Sequence, residues 1–143
     1  MYVFEEGWGE RARVLRPQAI ACSLSQLDAI DVALTHALIV IGRISDLRLS
    51  EADHERLWSK FRVPVFEQII GEECELLAAE CEARDGLHIV SISAYQAAID
   101  SYAMAAGRAA ALEIAGNIDE SPCACGRSSA RLKIRGRSVA AST

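Results

Sequence analysis

The chain has 143 residues, 51% of them hydrophobic and 24% charged, with a net charge of −5. That is enough for one domain with a real core, expected over residues 1–143, but not for two ordinary ones. The acidic balance argues against a general nucleic-acid binder, which needs surplus Lys and Arg to neutralise phosphates. No stretch approaches the ~18 continuous apolar residues of a membrane span.

The start, "MYVFEEGWGE", is too polar and acidic for a secretory signal. The expected compartment is therefore the cytoplasm, where thiols stay reduced. Five cysteines, an odd number, also disfavour a closed disulfide framework.

Early in the chain, "RVLRP" reads as a short strand ending at Pro17. Leu24, Leu27, Ile30 and Leu34 then recur at helical spacing after Ser23, a plausible cap. The run "HALIVIGR" suits a strand buried on both faces of a helix-covered sheet. The clearest helix is "LSEADHERLWSKF", with Ser50 as N-cap and Asp53 completing a shortened capping box. Pro64 stops it, and "VPVFEQII" follows as a strand. Strand, helix and strand in this order imply a right-handed crossover and a parallel pair.

Asp85-Gly86 is a strong hairpin turn, with arms expected at roughly 76–82 and 87–92. The alanine-rich stretch from Ala94 to Gly116 is compatible with helix, although "YQAAID" could instead extend the sheet. A loop with "PCACGR" leads to the short strand "ARLKIRG", and roughly 137–143 form a frayed tail. The fold class is thus α/β: a mixed sheet with crossover helices, a β-hairpin and a C-terminal loop tied to it. From Arg127 to Arg137 five basic residues occur with no acidic one, which reads as a solvated strand face rather than an anion site.

Cys81 and His88 flank the hairpin turn, and Cys123 and Cys125 lie one residue apart in the late loop. Three thiolates and an imidazole are a set that zinc accepts in tetrahedral structural sites. Two alternatives stand beside it: incidental thiols with a surface histidine, and a redox dithiol, whose usual C-x-x-C form is absent. Cys22 and Cys74 lack a partner pattern, and His36 and His54 fit a strand edge and a solvated helix face. Glu72, Glu73 and Glu75 around Cys74 read as a charge-rich loop. No phosphate-binding glycine loop and no G-x-S-x-G nucleophile motif occur.

The stretch "VPVFEQIIGEECELLAAECEARDGLHI" followed by "CACGRSSARLKIRGR" resembles the central part of the phenylacetate–CoA ligase group of adenylate-forming enzymes. The resemblance runs from about Ala37 to Arg137 with a gap in its middle. It is carried by Glu80-Cys81, Gly86-Leu87-His88, Cys123-Ala124-Cys125-Gly126-Arg127, Arg131 and Gly136-Arg137. Some members of that group hold a structural zinc at these positions. The resemblance therefore implies zinc as cofactor, with Cys81, His88, Cys123 and Cys125 as its ligands.

The chain also departs from the family. The Tyr-Gly-x-Thr-Glu motif has become Ile70-Gly71-Glu72-Glu73-Cys74. The Arg-Tyr-x-Thr-Gly-Asp motif that would hold the ribose is replaced by the alanine-rich stretch. The phosphate loop and the lid lysine are missing, so ATP is not an expected ligand and no residue is assigned a catalytic role.

The expected function is a non-catalytic binding or interaction module, acting as a homodimer or with a partner protein through an exposed sheet edge. The alternative is a component of an AMP-forming carboxylate–CoA ligase that works with another chain.

Overall fold

The computed structural model describes residues 1–46 and 48–133. The expected tail, the Gly136-Arg137 pair and the end of "ARLKIRG" lie outside the described residues. The fold is a mixed α/β one. Its elements run α1 (Glu10–Val14), β1 (Ala19–Cys22), a 3-10 helix (Leu24–Ala29), β2 (Ala37–Arg43), α2 (Glu51–Phe61), β3 (Val65–Ile70), β4 (Leu76–Glu80), β5 (Leu87–Ile89), α3 (Ile92–Ala106), α4 (Arg108–Ala115), β6 (Asn117–Asp119) and β7 (Arg131–Lys133). The seven strands form one sheet in the order β1-β2-β3-β4-β5-β7-β6.

The first three strands are parallel and the rest antiparallel. The capping box expected at α2 is formed on both sides: Asp53 N–H donates to Ser50 Oγ (3.1 Å), and Ser50 N–H to Asp53 Oδ2 (3.0 Å). The helix ends at Arg62 in a left-handed conformation, immediately before Val63-Pro64.

Leu57 and Phe61 of α2 pack with Leu27, Ile30 and Leu34 on Leu38, Val40 and Val65 of the sheet. A second apolar cluster joins Ile69, Leu77, Ala78, Leu87, Ile89 and Leu132 to Tyr95 and Ile99 of α3. Glu67 interrupts the apolar row of β3 and is buried against Arg48, 3.2 Å away.

The strand β2 differs from its expectation. It is not buried on both faces: Leu38 and Val40 are buried, while Ile39 and Ile41 stay half-buried. The cause is topological. Strands β1, β2 and β3 are laid side by side in chain order, and crossovers of one hand then put both connections on one face. The opposite face is left to Ala19, Ala21, Ala37, Ile39, Ile41, Phe66 and Ile70, none of which is fully buried.

Other expectations are corrected as well. "RVLRP" is not a strand, because Arg13 and Val14 close the short helix α1 and the edge strand begins only at Ala19. The expected helix over 24–34 is a 3-10 helix ending at Ala29, with Ile30 already extended. Asp31 is drawn away by Trp8 Nε1 (3.0 Å) and the Arg13 guanidinium (3.0 Å). The hairpin arms are shorter than expected, ending at Glu80 and Ile89. The "YQAAID" segment belongs to helix α3, not to the sheet, and Gly107, with φ of +100°, separates α3 from α4. Asn117–Asp119 is an edge strand rather than loop, paired antiparallel with β7.

Candidate metal centre

Each half of the centre is built on a tight turn. After β4, Arg84 N–H closes on Cys81 C=O at 3.0 Å, with Arg84 left-handed (φ 54°). In the late loop, Gly126 N–H closes on Cys123 C=O at 3.0 Å, with Gly126 also at positive φ (91°). Each turn thus begins on a cysteine and ends on a left-handed residue. In each, the backbone N–H two residues on acts on the first sulfur to lower its thiol's pKa: Ala83 for Cys81 and Cys125 for Cys123. That influence favours a thiolate over a thiol, which is the form a metal takes.

The third element is β5. His88 sits at its centre, 4% exposed, between the buried Leu87 and Ile89. Its Nδ1 lies 2.8 Å from Ser129 Oγ and 3.3 Å from the Ser129 carbonyl oxygen, which leaves Nε2 directed at Cys125 Sγ, 3.3 Å away. A ligating histidine is commonly oriented through its other nitrogen in this way.

The four donor atoms of Cys81, His88, Cys123 and Cys125 all lie within 4.8 Å of one another. Cys81 Sγ and Cys123 Sγ are 3.7 Å apart, far beyond a disulfide, and all five cysteines are free thiols. Zinc–sulfur bonds of about 2.3 Å and zinc–nitrogen bonds of about 2.0–2.1 Å in a tetrahedron separate two sulfurs by about 3.8 Å, and sulfur from nitrogen by about 3.5 Å. The observed spacings of 3.7 Å and 3.3 Å fit that geometry, so the donor set, its arrangement and its outer partner suit a metal ion. The expected four residues come together; Cys22 and Cys74 do not join them.

The two buried sulfurs differ electrostatically. Burial pushes the Cys81 thiol up, against the pull of the Ala83 N–H. Cys123 is pushed down to about 6, chiefly by the Cys125 N–H, with the side chains of Cys125, His88 and Cys81 adding to it.

A residue named in the sequence only within the resemblance holds the two turns in place. The Arg131 side chain, 2% exposed, reaches Asp85 beside the first turn and Asp119 and Ser121 before the second. Lys133 meets the same two carboxylates at 2.8 and 3.1 Å. The basic stretch is thus not a solvated strand face at these positions; two of its five cations neutralise acids from other loops. Arg135 and Arg137 lie outside the described residues. The signal that could have been read is the pair Asp85 and Asp119 standing beside the two cysteine turns.

Elsewhere the chemistry is plain. Glu72, Glu73, Cys74 and Glu75 form an exposed turn, and no helix among the described residues is long and apolar enough to cross a membrane. No protein-family model, no curated protein and no solved structure matches the chain.

Proposed function

We propose that the chain is a zinc-stapled α/β module related to the adenylate-forming fold, and that it works by binding a partner rather than by catalysis. One observation carries the reading: three sulfurs and the His88 imidazole converge within 4.8 Å from strand β5 and two turns whose first cysteines are 42 residues apart in sequence. Soft thiolates with one imidazole select zinc over hard cations such as magnesium or calcium. A four-ligand set leaves no open position for a substrate, so the ion's role is structural. It would hold the loop 121–129 against β5 and couple metal binding to folding.

The resemblance to the phenylacetate–CoA ligase group supports this reading, because the four ligands it implies are the four that converge. The catalytic parts of that family have no counterpart among the described residues. Where its adenine-stacking motif would fall, the chain makes the acidic turn Gly71–Cys74, closed by Cys74 N–H on Gly71 C=O (3.0 Å). Where its ribose-binding motif would fall stand α3 and α4. We assign the partner contact, a second copy or another protein, to the uncovered face and edge of β1–β3, since parallel strands are ordinarily covered on both sides.

Metal analysis of protein purified without added metal tests the zinc assignment. One zinc per chain is expected, with a lower melting temperature after chelation. Less than half an equivalent, or a melt indifferent to chelator, overturns it. The second reading, a ligase component acting with another chain, rests on the same four residues. It requires carboxylate-dependent exchange of pyrophosphate into ATP when cell extract is added, and no exchange is expected.

A further inference from the structure

The four ligands are not equally accessible. Cys81 and Cys123 are 3% and 6% exposed, whereas Cys125 is only half-buried. All three sulfurs are thiolates when they hold zinc, and among thiolates the exposed one reacts first with a small oxidant. Building on the zinc reading above, we propose that Cys125 is a peroxide-oxidation site whose modification exchanges the metal staple for a disulfide to Cys81.

The chemistry balances in two steps. Cys125 thiolate attacks hydrogen peroxide, the O–O bond breaks, and sulfenic acid and hydroxide result. A sulfenic acid is a poor zinc ligand, so the tetrahedron opens. Cys81 thiolate then attacks the Cys125 sulfur, the S–O bond breaks, and hydroxide leaves as the disulfide forms. Two thiolates have lost two electrons, one peroxide has gained them, and one zinc ion is released.

Geometry selects Cys81 as the second sulfur. It lies within 4.8 Å of Cys125, so closing to a bond of about 2.05 Å needs a shift of less than about 3 Å. Cys123 is also within 4.8 Å but belongs to the same turn as Cys125, and a bond between them would strain the turn that the Gly126-to-Cys123 hydrogen bond closes. The Cys81–Cys125 bond instead joins the two turns the metal had joined. The loop stays docked while the ion leaves.

The test uses the full chain with Cys22→Ser and Cys74→Ser, so that every remaining thiol lies in the cluster. Zinc content is measured first; a chain without zinc overturns the zinc reading and this one with it. The zinc-loaded protein is then treated with hydrogen peroxide beside a zinc-responsive dye, the product is digested with trypsin, and the crosslinked peptides are fragmented in tandem mass spectrometry, because Cys123 and Cys125 share one tryptic peptide and only fragment ions separate them. One zinc released per chain, two thiols lost and a Cys81–Cys125 crosslink are expected, with reductant and zinc restoring the start. The oxidised chain should melt above the chelated, reduced chain. A crosslink confined to Cys123–Cys125, one between Cys81 and Cys123, zinc retained until the protein unfolds, or an oxidised form that melts like the chelated one overturns the proposal.

Discussion

Arg131 donates from a single nitrogen to both the main-chain oxygen (2.9 Å) and the carboxylate (2.7 Å) of Asp85, fixing the hairpin turn from a strand that lies between β5 and β6 in the sheet. Its other terminal nitrogen reaches Ser121 C=O (3.3 Å) and Ser121 Oγ (3.2 Å). One buried cation therefore spans the segments that carry three of the four proposed metal ligands. Arg131→Met should lower the melting temperature and speed the transfer of zinc to a chelator. Equal transfer rates in variant and parent would show that the guanidinium does not hold the centre.

The same network sets an acid dependence. Hydrogen bonds from Lys133 and then Arg131 hold the Asp85 carboxyl below its ordinary range, and Ser121 followed by Lys133 does so for Asp119. A depressed folded-state value contributes stability that is full above the unfolded carboxylate value of about 3.9 and is lost as pH falls through the folded one. The gap in urea midpoint between the parent and Asp85→Asn should thus be constant from about pH 5 to 7 and close below about pH 4. A gap that closes near neutrality would assign the effect to other groups.

Ser129 bears on the proposed zinc site through His88. Its hydroxyl, 2.8 Å from Nδ1, orients the ring, and loss of an outer partner of this kind weakens metal affinity by roughly 10–100-fold. Because the Ser129 carbonyl oxygen also stands 3.3 Å from Nδ1, Ser129→Ala is expected near the lower end, about tenfold. Competition with a calibrated chelator measures it. Unchanged affinity would mean that the carbonyl suffices.

Gly86 cannot be replaced cheaply. Its φ is +90°, and a Cβ there would stand 2.9 Å from Leu132 O, a backbone atom of the neighbouring strand. Left-handed backbone costs a residue with a Cβ about 1–2 kcal/mol, and the overlap adds to that. Gly86→Ala should cost at least this much in a denaturant titration and reduce zinc per chain, since Cys81 and His88 stand on either side of the turn. Full zinc loading in this variant would show that the hairpin adapts.

Much of this was legible in the residues themselves. The Ser50–Asp53 pair, the apolar run of β2, the Asp85-Gly86 turn and the cysteine spacing each express local chemistry, and each appears near its expected place. The failures share a different cause. The 3-10 helix stops early because Asp31 answers Trp8 and Arg13, far off in sequence. Strand β6 is three residues long, too short for periodicity, and exists only because β7 offers it an edge. The half-covered sheet follows from the order of strands, which alternation within one strand does not reveal. At the candidate metal centre the four donors were visible as a pattern, and Asp85 and Asp119 beside the turns hinted at a basic partner, whereas Ser129 as a ring anchor is visible only once the turns are brought together.

The helical excursion between the two cysteine turns has a consequence for how the chain can change. It leaves the sheet at Ile89 and returns at Asn117, and strands β5 and β6 flank the same strand, β7. Departure and return are therefore fixed by the sheet, whatever happens in between. At the far end, Gly107 is exposed and has open space around its backbone. Lengthening a loop twofold costs only about 0.6 kcal/mol in closure entropy. Extra residues, even a small folded unit, can be spliced in at Gly107 while the donors of the metal centre keep their positions, which makes this tip a natural port for grafting new recognition elements onto the scaffold.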